Sequence, residues 1–195
     1  MKKHNLKLIT EDIRTWSREY LEIPNVHLNK MPACPFARQA WKDNKVVIDL
    51  RNIEKGYIRN LDKSIQNINW NEKELLIFCD LAFKEYSLNK FQTMVDRFND
   101  KYNTKDLYFM GFHPKNPAND DEQEFLVEPN GDRENLPKSD LEYSMMLVQK
   151  FSQLYHASVK LHKMGYYKLW PKDYYNDVVT DRQSLYEQLN KGAKK

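Results

Sequence analysis

The sequence contains little glycine, little proline and only two cysteines. There are 5 Gly, 8 Pro and 2 Cys in 195 residues, which excludes collagen-like and low-complexity chains and small disulfide scaffolds. No segment approaches the ~18 uncharged apolar residues that a membrane-spanning helix needs, so we expect no membrane partner. Hydrophobic residues make up 41% of the chain and charged residues 30%, as in globular proteins with a real core. We predict a single domain over residues 1–195.

The charge of the chain is nearly balanced. Lys and Arg number 31 and Asp and Glu 28, for a net charge of +3, which does not predict a nucleic-acid surface. Basic residues are scattered along the chain, apart from Lys2-Lys3 and the end at Lys191-Gly-Ala-Lys194-Lys195. We predict both ends, 1–7 and 191–195, to be flexible. No apolar segment follows the basic residues near Met1, so we expect no signal peptide and a cytoplasmic protein with Cys34 and Cys79 reduced. The abundant Lys and Asn are typical of an AT-rich genome, such as that of a phage or a small-genome bacterium.

Three apolar segments alternate with helical patterns in the first part of the chain. Residues 45–50, 74–79 and 106–112 are predicted strands, and residues 54–67 and 87–102 are predicted helices between them. This alternation is typical of βαβαβ connections. We therefore predict an α/β domain with a small, mainly parallel sheet flanked by about five helices. The remaining predicted helices cover residues 10–22, 34–42, 139–164 and a last segment from Thr180; residues 124–127 are a candidate edge strand, and residues 23–33 are predicted to be irregular.

The prediction of a helix over residues 139–164 is based on signals at its two ends. Ser139 and Glu142 have the spacing of a capping box, and Gly165 is suited to ending a helix. Apolar residues recur between them at helical spacing, including Met145, Val148 and Phe151.

Candidate binding residues follow the predicted strands. In parallel sheets, ligands bind at the carboxyl ends of the strands, where this chain has Asp49, Asp80 and His113. Asn116, in the polar loop after His113, is a further candidate. These residues also have a structural interpretation. Acidic residues after strands often cap turns, and His113 can be a turn residue held between Phe112 and Pro114. Gly111 permits close approach of a ligand or of backbone.

Cys34 is the candidate nucleophile. It precedes Pro35 at the predicted start of a short helix, where the helix dipole favours the thiolate, and Arg38 lies one turn further on. Together with His113 as acid–base group, Cys34 would form the site of a thiol enzyme. The alternative is a small buried side chain, the usual role of free cysteine and the one that we expect for Cys79.

Three hypotheses for the function follow from these residues. The first is an enzyme that acts on a small molecule, with Cys34 and His113 as catalytic residues and Arg38 as electrostatic support. The second is a binding or accessory protein without catalysis, in which the same motifs are structural. The third is a metal-dependent enzyme that uses His113 with Asp80 or Cys34. The sequence has no Gly-x-Gly-x-x-Gly, Walker or Gly-x-Ser-x-Gly motif, and it indicates neither a cofactor nor an oligomeric state.

Two short motifs carry a resemblance to a known family. Trp16, the segment Cys34-Pro35-Phe36-Ala37 and the later Phe112-His113-Pro114 resemble an uncharacterised bacterial family of unknown function with a Cys-Pro-Phe-Ala motif and a downstream Phe-His-Pro motif. The resemblance covers roughly residues 10–165. The family's Ser-Pro-Tyr-Pro segment has no counterpart beyond Asn135-Leu136-Pro137, and Asp49 and Asp80 match no family motif. The resemblance thus implies roles for Cys34 and His113 and supplies no reaction.

Overall fold

A four-stranded sheet with helices on both faces organises the chain. The computed structural model describes residues 6–25, 28–51, 57–80, 87–113 and 144–192. In chain order the elements are α1 (Leu6–Trp16), β1 (Pro24–Asn25), β2 (Met31–Pro32), α2 (Ala37–Lys42), β3 (Val46–Arg51), α3 (Tyr57–Asn67), β4 (Leu75–Asp80), α4 (Leu88–Tyr102), β5 (Leu107–Phe112), β6 (Met145–Lys150), α5 (Phe151–Lys163), α6 (Lys172–Tyr175) and α7 (Asp181–Gly192). Two π-helical turns, Ser17–Leu21 and Asn176–Thr180, follow α1 and α6.

The sheet is mixed, and the prediction of a mainly parallel sheet is wrong. Its strand order is β3-β4-β6-β5. β3 and β4 are parallel, whereas β6 is antiparallel to both of its neighbours. Consequently β3, β4 and β5 run in the same direction, with β6 reversed between β4 and β5. The α/β class is confirmed, and β3, β4 and β5 all end at one edge of the sheet although β5 is not a neighbour of β4.

Strand β6 replaces the first part of the helix that we predicted over residues 139–164. Residues 139–143 lie outside the described part of the chain, and Met145–Lys150 is a strand. The four residues 145–148 are all buried, because a central strand is covered on both faces and shows no alternation of polar and apolar residues. The helix α5 begins only at Phe151, where Asp106 accepts hydrogen bonds from Ser152 N at 2.7 Å and from Ser152 Oγ at 2.6 Å. Gly165, with a φ of 76°, follows the end of α5 as predicted.

Alternate side chains of the strands pack against two different helix layers. Phe78, Phe109 and Met146 belong to a core cluster with residues of α3 and α4; we call this side of the sheet the α4 face. Ile77 and Met145 belong to a second cluster with residues of α1 and with Trp41 of α2; we call this side the α1 face. Every strand therefore presents one set of residues to each layer.

Several predicted boundaries differ from the structure. Helix α1 begins at Leu6 rather than at Thr10, and α7 continues to Gly192, so parts of both predicted flexible ends are helical. The segment predicted to be irregular contains the short antiparallel pair β1 and β2. Residues 124–127, predicted as an edge strand, lie outside the described residues.

Candidate functional site

The register of the sheet aligns one residue of each strand at the carboxyl edge. Arg51 of β3 is paired with Asp80 of β4. Met145 of β6 is paired with Cys79 on one side and with Phe112 on the other. One step further along the same registers, Ser144 lies between Asp80 and His113. The order across the edge is therefore Arg51, Asp80, Ser144 and His113, and we call this set the edge row. Asp80 belongs to it by its backbone position.

His113 and Ser144 lie on the same face of the sheet. Phe112 contacts Trp16 of α1, with ring centroids 5.3 Å apart, and the next residue, His113, turns to the α4 face. There the His113 ring lies 5.4 Å from the ring of Phe91, and the residue is only 6% exposed. Ser144 shares a face with Met146 of the α4-face cluster by the alternation of the strand.

Among the described side chains of the edge row, that of Ser144 has a buried polar atom without a hydrogen-bond partner. It is fully buried, and its Oγ has no hydrogen-bond partner among the described residues. A buried hydroxyl without a partner costs about 1–3 kcal/mol, and such atoms are rare enough in folded proteins to require an explanation. Sequence reasoning missed Ser144 because the segment was assigned to a helix.

Gly111 brings helix α4 close to β5 beside His113. A Cβ at this position would lie 2.7 Å from Phe91 Cε1 and 2.8 Å from Val95 Cγ2. The close approach that glycine permits is therefore to side chains of α4, and the expectation of a ligand or backbone at this point is wrong. Without a side chain at residue 111, the Phe91 ring can cover His113.

Asp49 and Arg51 form an ion pair at the outer end of the edge row. Arg51 Nε lies 2.6 Å from Asp49 Oδ1, and Arg51 Nη2 donates to Asp49 Oδ2 at 2.9 Å. Ser64 of α3 also donates its hydroxyl to this carboxylate. The predicted binding residue Asp49 is thus occupied by partners of its own chain, two residues before the strand ends. Asn116 lies outside the described residues.

Cys34 lies two residues before Phe36, the N-cap of α2, rather than at the N-cap itself, and its thiol is not activated. Burial raises the pKa of Cys34 and the charge of Glu22 raises it further; backbone N–H groups of Phe36 and Ala37 lower it, but less, so the net pKa is raised. The expectation of a lowered pKa is wrong, because burial outweighs the helix terminus. Arg38 is 75% exposed and directs Nε to Glu22 Oε2, at 3.6 Å.

The structure does not bring Cys34 and His113 together. Cys34 N donates to Leu21 O at 2.9 Å, at the end of the π-helical turn that follows α1, whereas His113 packs on Phe91 of α4. Cys34 also acts electrostatically on Tyr166, in the segment after α5. No contact between Cys34 and His113 is seen within the described ranges, so the paired site of a thiol enzyme gains no support and stays a prediction.

A buried ion cluster surrounds Glu22 next to Cys34. Glu22 is paired with Arg14 and accepts a hydrogen bond from Ser17 Oγ at 3.1 Å. The indole nitrogen of Trp41 donates to Ser17 Oγ at 2.8 Å. Burial alone would raise the pKa of Glu22, but the hydrogen bonds from Arg14 and Ser17 and the positive charges of Arg14 and Arg38 outweigh it and lower the pKa. The cluster joins α1, its π-helical turn and α2.

No sequence signal indicated this cluster. Eight residues separate Arg14 from Glu22, which is roughly 12 Å along a regular α-helix. The guanidinium reaches the carboxylate because the chain leaves α-helical geometry at Ser17.

The described residues contain neither a cluster of metal ligands nor a helix that could span a membrane. Within the described ranges, no group of three or more His, Cys, Asp or Glu is arranged to hold a metal ion. Every helix in those ranges is too short or too polar to span a bilayer. The metal-dependent hypothesis gains no support from the described side chains and stays a prediction.

Comparisons with protein-family models, with curated proteins and with solved structures give no match to this chain. The resemblance through the Cys-Pro-Phe-Ala and Phe-His-Pro motifs therefore stays a prediction. The fold is that of a mixed α/β domain. The edge row is its candidate functional site.

Proposed function

We propose that this protein is an enzyme that acts on a small molecule at the carboxyl edge of its sheet, on the α4 face. His113 is the acid–base group and the Ser144 hydroxyl contacts the reacting part of the substrate. The observation that carries the proposal is the buried Ser144 Oγ, without a hydrogen-bond partner among the described residues, one strand away from His113. Cys34 and Arg38 lie outside this proposed site.

The spacing of strands β5 and β6 supports a functional pair of His113 and Ser144. Residues opposite one another in an antiparallel pair have Cα atoms about 4.5–5.5 Å apart, and Ser144 is opposite His113 when the register of β5 and β6 is extended by one residue. Side chains on one face at that separation can share a proton or a substrate atom. Histidine is the side chain that most often transfers protons in enzymes, and burial under Phe91 excludes water from it.

Arg51 favours a substrate with an acidic group. Asp49 occupies two of the five N–H donors of the Arg51 guanidinium, which leaves donors for a carboxylate or phosphate. Three strand spacings separate Arg51 from His113, roughly 14 Å at about 4.8 Å per strand. A molecule that contacts both residues is therefore larger than a simple ion.

We further propose that the protein works in the cytoplasm. Cys34 and Cys79, the two cysteines of the chain, form no disulfide. A chain of this size with thiols in place of disulfides is typical of a reducing compartment.

The test is a ligand screen followed by turnover. The purified protein is screened by thermal shift against small carboxylates and phosphate esters, and the molecules that bind are assayed for conversion. We expect Ser144→Ala to weaken binding by about tenfold, the value of one hydrogen bond to a charged or reacting group. We expect His113→Gln to bind the same molecule and to lose turnover by about a hundredfold, within the usual range for general acid–base catalysis.

Two exposed residues provide matched controls. His156→Gln on α5 and Ser184→Ala on α7 change the same residue types at exposed positions, and both should retain binding and turnover. If binding survives in both site variants and the wild type converts no molecule that it binds, the protein is a binding protein and the proposal is wrong.

A further inference from the structure

Arg182 is a partly buried cation far from the edge row. It lies in the first turn of α7, directly after the π-helical turn Asn176–Thr180. Its Nη2 donates to Ser158 Oγ of α5 at 2.9 Å. Its Nε is buried and has no hydrogen-bond partner among the described residues. A guanidinium has five N–H donors and remains charged in proteins, so this side chain has donors and charge to offer.

Among the described residues, the charged or titratable groups that act on Arg182 are phenols rather than carboxylates. The neighbours that act on it electrostatically are Tyr108, Tyr167 and Tyr174. No ion pair of the described residues includes Arg182. Burial lowers the pKa of Arg182 despite these neighbours, which is the signature of a desolvated cation without a full counter-charge.

The three phenols stay neutral near physiological pH and do not supply that counter-charge. Burial raises the pKa of all three tyrosines, and it raises that of Tyr174 to about 12. Neutral phenols donate O–H hydrogen bonds. Arg182 and its phenols together form a set of donors and positive charge, which matches an oxyanion.

We propose that Arg182, with the hydroxyls of the neighbouring tyrosines, is a binding site for a small oxyanion, either a carboxylate or a phosphate group. A buried guanidinium is costly unless an anion compensates it, and a π-helical turn directly before it is a feature enriched at functional sites. Tyr108 is five residues before His113 on the same strand, roughly 16 Å at about 3.3 Å per residue. The site is thus independent of the one proposed for His113 and Ser144.

The experiment measures anion-dependent stability. Thermal unfolding is followed near neutral pH while sodium acetate or sodium phosphate replaces sodium chloride at constant ionic strength. We expect one of the two anions to raise the Tm of the wild type in a saturable way. Saturation by acetate assigns a carboxylate, and saturation by phosphate assigns a phosphate group.

The variant Arg182→Met keeps the length of the side chain and removes its charge. It should lower the affinity for the anion by about tenfold or more. Its Tm in chloride should stay at or above that of the wild type, because an uncompensated charge has been removed. Arg97→Met, at an exposed arginine of α4, should leave the anion response unchanged. If Arg182→Met does not fold, Tyr174→Phe replaces it, with the same expected loss of affinity.

Three results would overturn this proposal. One is a wild type whose Tm does not respond to acetate or phosphate beyond the chloride series. Another is an Arg182→Met protein that responds as the wild type does, which would place the anion elsewhere. The third is a folded Arg182→Met protein with a large fall in Tm in chloride, which would make Arg182 a structural residue.

Discussion

Cys34 and Glu22 are neighbouring acidic groups whose pKa values shift in opposite directions, although burial raises the pKa of both. Glu22 has two arginines and a serine directed at it, so its pKa is lowered despite burial. Cys34 receives only backbone N–H groups, so burial raises its pKa and the charge of Glu22 adds to the effect. The difference lies in the side chains that face each group, because burial penalises the charged form of both.

Cys34 should therefore be a slow nucleophile. We predict that iodoacetamide labels Cys34 about tenfold more slowly in the folded protein than in urea near neutral pH, because the thiolate is the reactive form. Mass spectrometry of the labelled peptide separates Cys34 from Cys79. The rate should still be rising at the ordinary thiol pKa of 9.0. Rapid labelling that reaches a plateau below that pH would restore the thiol-enzyme hypothesis.

Glu22 should make a pH-dependent contribution to stability. We predict that Glu22→Gln lowers the free energy of unfolding by about 2 kcal/mol near neutral pH, less than for a fully buried pair, because Arg14 is 29% exposed. Since the folded pKa is lowered from 4.5, the advantage of the wild type is present above that pH and is lost as the pH falls through the folded pKa.

Urea unfolding over an acidic pH series measures this contribution. The control is Glu11→Gln, because Glu11 is 58% exposed and pairs with Lys7 at 3.9 Å; it should change stability by less than about 0.5 kcal/mol. A difference between the wild type and Glu22→Gln that stays constant from neutral to strongly acidic pH would contradict the ionic role of Glu22.

Among the elements, strand β6 determines which residues meet at the edge row. The three other long strands follow from their apolar segments, and their common direction follows from the helical connections. β6 could not be predicted, because Met145, Val148 and Phe151 fit a helical spacing as well as a strand buried on both faces. A helix over residues 139–164 gives no reason to select Ser144, so the sequence points to Cys34 instead.

The structure gives no support to a pairing of Cys34 with His113, because the two residues contact different elements. His113 follows a strand as predicted, whereas Cys34 lies two residues before Phe36, the N-cap of α2. Which helix covers which face is set by long-range packing, as in the contacts of Phe112 with Trp16 and of His113 with Phe91. The sequence pattern of a single helix or strand does not indicate which helix covers which face of the sheet.

The contact between α4 and β5 should not tolerate a methyl group at Gly111. We predict that Gly111→Ala lowers the free energy of unfolding by about 1–3 kcal/mol, because the new Cβ overlaps Phe91 and Val95. Combining it with Val95→Ala should cost less than the sum of the two single changes, since the second removes one of the overlapping atoms.

Urea unfolding of the double-mutant cycle tests this contact. Gly165→Ala is the comparison, because its cost arises from a φ of 76° and should add to that of Val95→Ala. Strict additivity for Gly111→Ala and Val95→Ala would show that the two residues do not compete for space.

On the scale of the whole molecule, helices among the described residues cover both faces of the sheet. At the carboxyl edge, three strands end and the fourth begins, which places Arg51, Ser144 and His113 in one row. At the other end of β5, Tyr108 adjoins the partly buried Arg182. The two proposed sites therefore lie at opposite ends of the same strand.

The measurement that tests the edge row most directly is the NMR spectrum of the histidine rings. In the wild type and in Ser144→Ala, the ring resonances of His113 are compared with those of His156, which is exposed on α5. If Ser144 faces His113, Ser144→Ala shifts the His113 signals and a bound substrate shifts them again, while those of His156 stay in place. His113 signals unchanged by both would contradict the shared site.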